Sequence, residues 1–258
     1  MTSLAGKVVI VTGGAGLLGQ AFVTAIAQNG GTAVIADIDA GRGAEVAAQL
    51  CVKTGTQRVT FAKVDITDRA SIEELINSVA SQHGRIDAVV NNAYPRNKNY
   101  GRKFEDVEYA DFCQNMNMHL GGYFLVSQAF AKHFCAVGEG NIVTVSSIYG
   151  VIAPRFDIYE GTVMTMPVEY AVIKSALLHL SQYMMRYFKG SGIRFNCVSP
   201  GGIFDHQPEA FLKAYKTYAQ NKGMLDPADL TGALVFLLSD DSKYINGQNL
   251  IVDDGWSV

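Results

Sequence analysis

The stretch Lys7-Val8-Val9-Ile10-Val11-Thr12-Gly13-Gly14-Ala15-Gly16-Leu17-Leu18-Gly19 limits what this chain can fold into more than any other. An apolar run of strand length meets a glycine cluster, and Gln20 to Gln28 continues with helical spacing. Glycines let the backbone turn tightly and approach a ligand, while the free N–H groups that open a helix attract a phosphate. A second apolar run, Thr32 to Ala36, ends in Asp37-Ile38-Asp39. A carboxylate there can accept hydrogen bonds from an adenosine ribose. The glycines alone fit a merely structural turn. Joined to the helix, the second strand and the acidic end, they point to a dinucleotide site.

Strand and helix patterns alternate along the remainder. Apolar runs at 59–64, 86–91, 141–146, 193–198 and 249–252 read as further strands. Helical spacing covers 40–54, 69–83, 109–137, 168–188, 208–220 and 227–238, with Asp68 placed to cap the helix from Arg69 and a bend expected near Gly121-Gly122. The strands are continuous apolar runs, as expected where helices cover both faces of a parallel sheet. The prediction is one α/β domain over residues 1–258, doubly wound around a mostly parallel, seven-stranded sheet. Ligands of such sheets bind beyond the carboxyl ends of the strands, where Gly13, Asp37, Asp65, Asn91, Ser147 and Pro200-Gly201 all fall.

Composition excludes several alternatives. A net charge of -3 without a long basic tract argues against a nucleic-acid partner. Cys51, Cys113, Cys135 and Cys197 form no metal-ligand spacing, so no metal is expected, and they read as reduced cysteines of a cytoplasmic protein. Met1-Thr2-Ser3-Leu4 leads straight into the first strand, which leaves no room for a signal peptide, and no apolar run approaches membrane-spanning length.

The chemistry is concentrated in Tyr170-Ala171-Val172-Ile173-Lys174, preceded by Ser146-Ser147 at a strand end. Four residues apart on a helix, Tyr170 and Lys174 share one face. A tyrosine of ordinary pKa near 10 is a poor acid–base group at neutral pH, but a nearby ammonium stabilises its phenolate and a serine hydroxyl can hold the reacting oxygen. Taken alone, the pair also fits a core aromatic beside a surface charge. Ser147 and the nucleotide signature in the same chain favour a site.

Thr12-Gly13 with Gly16 and Gly19, Asn91-Asn92-Ala93, Ser147, Tyr170-xxx-Lys174 and Pro200-Gly201 resemble the short-chain dehydrogenase/reductase family over essentially the whole chain. The resemblance implies a Rossmann fold, a nicotinamide cofactor and hydride transfer at a carbonyl or alcohol carbon. It implies Tyr170 as the acid–base residue, Ser147 as the group that positions the reacting oxygen, and Lys174 as the partner of the cofactor ribose and of Tyr170. The cofactor-binding set is then Gly13, Gly16, Leu17, Leu18 and Gly19, Asp37 with Ile38, Asp65 with Ile66, Asn91 and Ala93, Tyr170 and Lys174, and Pro200, Gly201 and Ile203. Three departures stand out: Leu17 takes the family's middle glycine slot, His119 falls where a helix asparagine completes the catalytic set, and Asp205 replaces a threonine. His119 either holds a water that relays protons to Lys174 or is a core or interface histidine. Asp37 favours NAD over NADP because it would face a 2′-phosphate with like charge, although Arg42 is near enough in sequence to answer that charge.

Three segments, beginning at Asn91, Ser147 and Asn246, resemble a bacterial branch of the family associated with flagellin modification and surface-sugar biosynthesis, including nonulosonic acids. Substrate-covering segments are expected near 94–105, 153–168 and 204–224, the last as a movable cover. Tyr94, Arg96 and Arg155 are the substrate-binding candidates, supported by Lys98, Arg102 and Lys103 in a basic entrance; a solvated basic face is the alternative. The expected substrate is an anionic sugar derivative, a sugar phosphate or nucleotide-activated sugar. A reductase of acyl or small hydrophobic carbonyls and a non-catalytic nucleotide-binding or scaffolding protein are the competing readings. A homodimer or homotetramer is expected, with the Trp256-Ser257-Val258 terminus at an interface edge.

Overall fold

The computed structural model describes residues 3–258, so Met1 and Thr2, where the segment expected to leave no room for a leader begins, lie outside the described residues. Seven strands form one sheet in the order β3-β2-β1-β4-β5-β6-β7. They are β1 (Val8–Thr12), β2 (Thr32–Asp37), β3 (Val59–Lys63), β4 (Ala88–Asn91), β5 (Gly140–Val145), β6 (Ile193–Pro200) and β7 (Asn249–Val252). Every neighbouring pair runs parallel. The apolar runs have the cause expected of them. Val9 and Val11 pack on one face among α1 (Leu17–Gln28), α2 (Ala40–Thr54) and α8 (Thr231–Leu238), while Val8 and Ile10 pack on the other among α3 (Arg69–His83), α5 (Gly122–Val137) and α6 (Val168–Tyr187).

Strand order reverses at β1, which lies between β2 and β4, and this opens the crevice where such sheets bind nucleotides. Local chemistry fixes the helices around it. Asp39 caps α2 by accepting from the Arg42 N–H at 3.0 Å, and Asp68 caps α3 by accepting from Ala70 at 3.0 Å. The 109–137 helix runs as α4 (Tyr109–Met116), a π-helical segment (Asn117–Gly121) and α5. Where a bend is expected near Gly121-Gly122, the helix instead widens into one π turn, which carries His119.

A third cluster covers the carboxyl end of the sheet. Tyr149, Tyr159, Phe211, Tyr215 and Trp256 pack together there, with Trp256 fully buried and stacked on Tyr215 at 4.9 Å and 14°. The expectation that Trp256 marks an interface edge is therefore corrected: its ring lies inside its own chain. The end of the 204–224 cover is tied to the carboxyl-terminal loop. Only Glu209–Lys216 is helical (α7), and the backbone N–H groups of Asn221, Lys222 and Gly223 all donate to the Asp254 carboxylate. Those donors hold Asp254 down to about 2, below the usual carboxylate range.

Candidate active site

Two glycines shape the floor of the crevice. Gly13 sits at φ +63°, and a Cβ there would lie 2.7 Å from the Ala93 Cα; a Cβ on Gly19 would lie 2.2 Å from the Gly13 carbonyl oxygen. Gly16, displaced from the family pattern, meets only the Gly13 oxygen, at 3.2 Å, and serves as the N-cap of α1. No side chain caps that helix, so its first N–H groups open toward the crevice wall formed by Gly16, Leu17 and Leu18. Leu17 in the glycine slot leaves both tight contacts intact.

Beyond the turn, Asp37 and Ile38 line the same cleft of about 940 Å³. The Asp37 carboxylate accepts from the Ala15 and Asp39 N–H groups at 3.2 and 3.3 Å, which fixes its direction. Arg42 is exposed and does not line the cleft. Asp65 and Ile66 form the next part of the wall, with one Asp65 oxygen engaged by Thr67. A helix start without a cap, a fixed carboxylate and a glycine-floored turn suit the pyrophosphate and ribose of a dinucleotide.

Ser147, Tyr170 and Lys174 meet where this half of the cleft joins the second. Ser147 and Tyr170 face each other across the cleft lining; burial pushes the phenol up, and the neighbouring Ser147 hydroxyl opposes that shift. Lys174 is 5% exposed and donates to the Val145 carbonyl at 2.9 Å, with its nitrogen 5.4 Å from the Tyr170 ring centre. Burial lowers its ammonium to about 7, against a small opposing pull from Cys197. A hydroxyl pair beside a buried cation is the arrangement needed to hold an oxygen and move a proton to or from it.

A match to a family model described as enoyl-(acyl carrier protein) reductase spans residues 14–257. The chain belongs to the short-chain dehydrogenase/reductase family. It is thereby an NAD(P)-dependent oxidoreductase acting at hydroxyl or keto carbons. It is 39% identical to post-translational flagellin modification protein A of Campylobacter coli, over 99% of this chain and 100% of that protein. The fold matches a short chain dehydrogenase from Leptospira borgpetersenii with bound NAD+, at a TM-score of 0.86 and 32% identity, covering 99% of this chain and 94% of that one. It likewise matches a gluconate 5-dehydrogenase from Burkholderia cenocepacia in complex with NADP and tartrate, at a TM-score of 0.87 and 26% identity, covering 99% and 97%.

Within this dehydrogenase/reductase cleft, Ala93, Tyr94, Arg96, Pro200, Gly201 and Ile203 lie on the lining. Four residues do not. Gly19 is beneath the turn it permits. Asn91 is fully buried and donates to the Ser127 hydroxyl at 2.9 Å on α5, and the neighbouring Asn92 takes the wall position, donating to the carbonyls of Thr12 and Gly13. His119 lies behind the wall, ring against ring with Tyr94 at 5.2 Å and Tyr123 at 4.9 Å. Burial and the Lys174 charge hold its imidazole neutral, and neither ring nitrogen has a partner among the described residues.

Arg155 corrects the substrate prediction most clearly. Its guanidinium lies 4.2 Å over the Tyr218 ring and 5.1 Å over Trp256, and it donates to the Trp256 carbonyl at 3.5 Å. It ties the 153–168 segment to the carboxyl terminus rather than lining the cleft. Lys98 and Lys103 also stay off the lining, and Arg102 pairs with Asp111 at 3.4 Å. The basic entrance thus reduces to Arg96. Sequence reasoning placed covering segments at 153–168 and 204–224 but did not single out the side chains that wall the second half of the cleft, Tyr149, Met164, Met166, Phe211 and Tyr215, with Tyr159. The aromatic density of 149–170 and 204–224 was its only signal, and side-chain direction cannot be read from that density.

Proposed function

We propose that this protein is an NAD(H)-dependent oxidoreductase that interconverts a hydroxyl and a keto carbon on an anionic sugar derivative, a sugar phosphate or nucleotide-activated sugar, in cytoplasmic surface-glycan biosynthesis. The observation that carries this reading is Ser147 and Tyr170 sharing the cleft lining beside buried Lys174, with the Asp37 half of the cleft, a tyrosine wall and Arg96 on the same lining. The flagellin-modification relative supports the biosynthetic setting. Tyrosine faces pack on sugar rings while their hydroxyls bond to sugar oxygens, and an arginine fits a phosphate or carboxylate. Among the described residues no helix is long and apolar enough to cross a membrane.

A nicotinamide held in this cleft would supply or accept the hydride. Ser147 holds the reacting oxygen, Tyr170 gives or takes the proton at that oxygen, and Lys174 holds the ribose hydroxyls and favours the phenolate. His119, neutral and without a protein partner, is proposed to hold a water on the path by which Lys174 exchanges protons. Asp37 selects NAD because it would repel a 2′-phosphate, while Arg42 points to solvent. Cofactor and substrate are covered by 94–105, 153–168 and 204–224. We also propose a homodimer or homotetramer, since α5 and α6 leave Phe124, Val172, Tyr183 and Tyr187 exposed; light scattering is expected to exceed the 27.9 kDa of one chain.

The methionines and Phe211 favour a second reading, a small hydrophobic ketone as substrate. Initial rates with NAD+ or NADH on UDP-glucose, glucose 6-phosphate, gluconate, D-glucose and cyclohexanol, with the matching ketones, separate the two. The proposal expects an anionic member to give the highest kcat/KM and Arg96→Ala to lower it roughly 10- to 100-fold, the range of a charged hydrogen bond. Preference for the cyclohexyl pair, unaffected by Arg96→Ala, contradicts it.

A further inference from the structure

Arg96 stands on a segment with little structure of its own. Residues 92–103 form no helix or strand, and within them only a long Tyr100 N–H bond to the Asn97 carbonyl, 3.4 Å, links backbone to backbone. What holds the segment is side chains. The Asn97 N–H donates to Asn115 Oδ1 at 2.9 Å, and Asn97 Nδ2 donates to Asp111 Oδ1 at 2.8 Å. Asn99 Nδ2 reaches both Asp111 oxygens at 3.0 and 2.9 Å, and Arg102 adds a contact to the same carboxylate at 3.4 Å. One carboxylate on α4 therefore gathers three residues of the segment.

The ties continue inward. Asn115 is 1% exposed and donates through Nδ2 to Glu169 Oε1 at 3.2 Å; Glu169 is equally buried and immediately precedes Tyr170 on α6. Its second oxygen has no partner among the described residues. A buried carboxyl group is costly unless its oxygens find partners, and Asn115 supplies one of them beside Tyr170. Outward, Tyr94 donates to the Tyr100 hydroxyl at 2.7 Å, and the Arg96 guanidinium rests 5.0 Å over the Tyr94 ring without an ion pair among the described residues.

We infer that Asp111, Asn115 and Glu169 are positioning residues that set where Arg96 and Tyr94 meet the substrate, through Asn97 and Asn99, relative to Tyr170. None of the three touches the cleft. The inference rests on the proposed anionic substrate only for its kinetic consequence; the restraint on the segment is independent of it.

The test has two arms. Hydrogen–deuterium exchange of the 95–103 peptide, with NAD+ present, is expected to quicken about tenfold in Asp111→Ala while the β-strand peptides stay unchanged. Unchanged exchange in 95–103 overturns the inference. In the second arm a double-mutant cycle combines Arg96→Ala and Asp111→Ala on whichever of UDP-glucose, glucose 6-phosphate or gluconate turns over fastest. Each single change is expected to raise KM roughly 10- to 100-fold, with the loss on KM rather than kcat, and the double change is expected to add little. A full Arg96→Ala effect with none from Asp111→Ala, or simple additivity, overturns the inference. Silence from Arg96→Ala instead refutes the anionic-substrate reading and leaves the exchange arm to decide. If Asp111→Ala does not fold, Asn97→Ala, which cuts the same ties from the segment's side, takes its place in both arms.

Discussion

Lys174 carries a stability cost at a single residue. Its ammonium is buried with one carbonyl partner and sits at about 7 instead of its ordinary 10.5. Below pH 7 both folded and unfolded chains hold the proton, so the folded state bears the full cost of burying the charge. Between 7 and 10.5 the unfolded chain binds more protons, and stability rises with pH. Lys174→Met removes that cost. It is expected to be inactive yet more resistant to urea than the wild type at pH 6, with the advantage shrinking by about 2 kcal/mol between pH 7 and 9. An advantage that grows with pH would show that the lysine is not depressed. Tyr170 and Lys174 were legible in the sequence because helical spacing alone puts them on one face. Arg155 was not, because the aromatic partners that turn it away, Tyr218 and Trp256, lie far along the chain.

At the scale of elements, the strand–turn–helix at the amino end carries the cofactor half. Strand and helix periods revealed it, and the fold followed because the central strands β1, β4 and β5 are buried on both faces. Leu17 in a glycine slot made the turn uncertain from sequence; the contacts that matter belong to Gly13 and Gly19 instead. Gly19→Ala would drive a methyl into the Gly13 carbonyl and is expected to cost about 1–3 kcal/mol in urea unfolding and to weaken NADH binding. Gly16→Ala, at φ -79° with one contact at 3.2 Å, is expected to cost less on both counts. Equal losses from the two changes would contradict this account of the turn. The long helix illustrates the reverse: its span was legible from 109 to 137, but not that a π turn would bury His119 between two tyrosines.

For the whole molecule, the sheet puts a fixed carboxylate at the end of β2 and Ser147 just beyond β5, where it meets Tyr170 of α6, all within one cleft. Cofactor choice tests the first. Fluorescence titration is expected to give tighter binding for NADH than NADPH, and Asp37→Ala to narrow the gap by weakening NADH; tighter NADPH binding by the wild type would refute the assignment of Asp37. The chemistry is tested most directly by single-turnover hydride transfer, followed in the nicotinamide absorbance, in wild type and Tyr170→Phe with the best sugar substrate. The account predicts that Tyr170→Phe binds NADH as the wild type does while its transfer rate falls about 10²- to 10⁴-fold, the range of a lost general acid–base group. Transfer at the wild-type rate in Tyr170→Phe would contradict it.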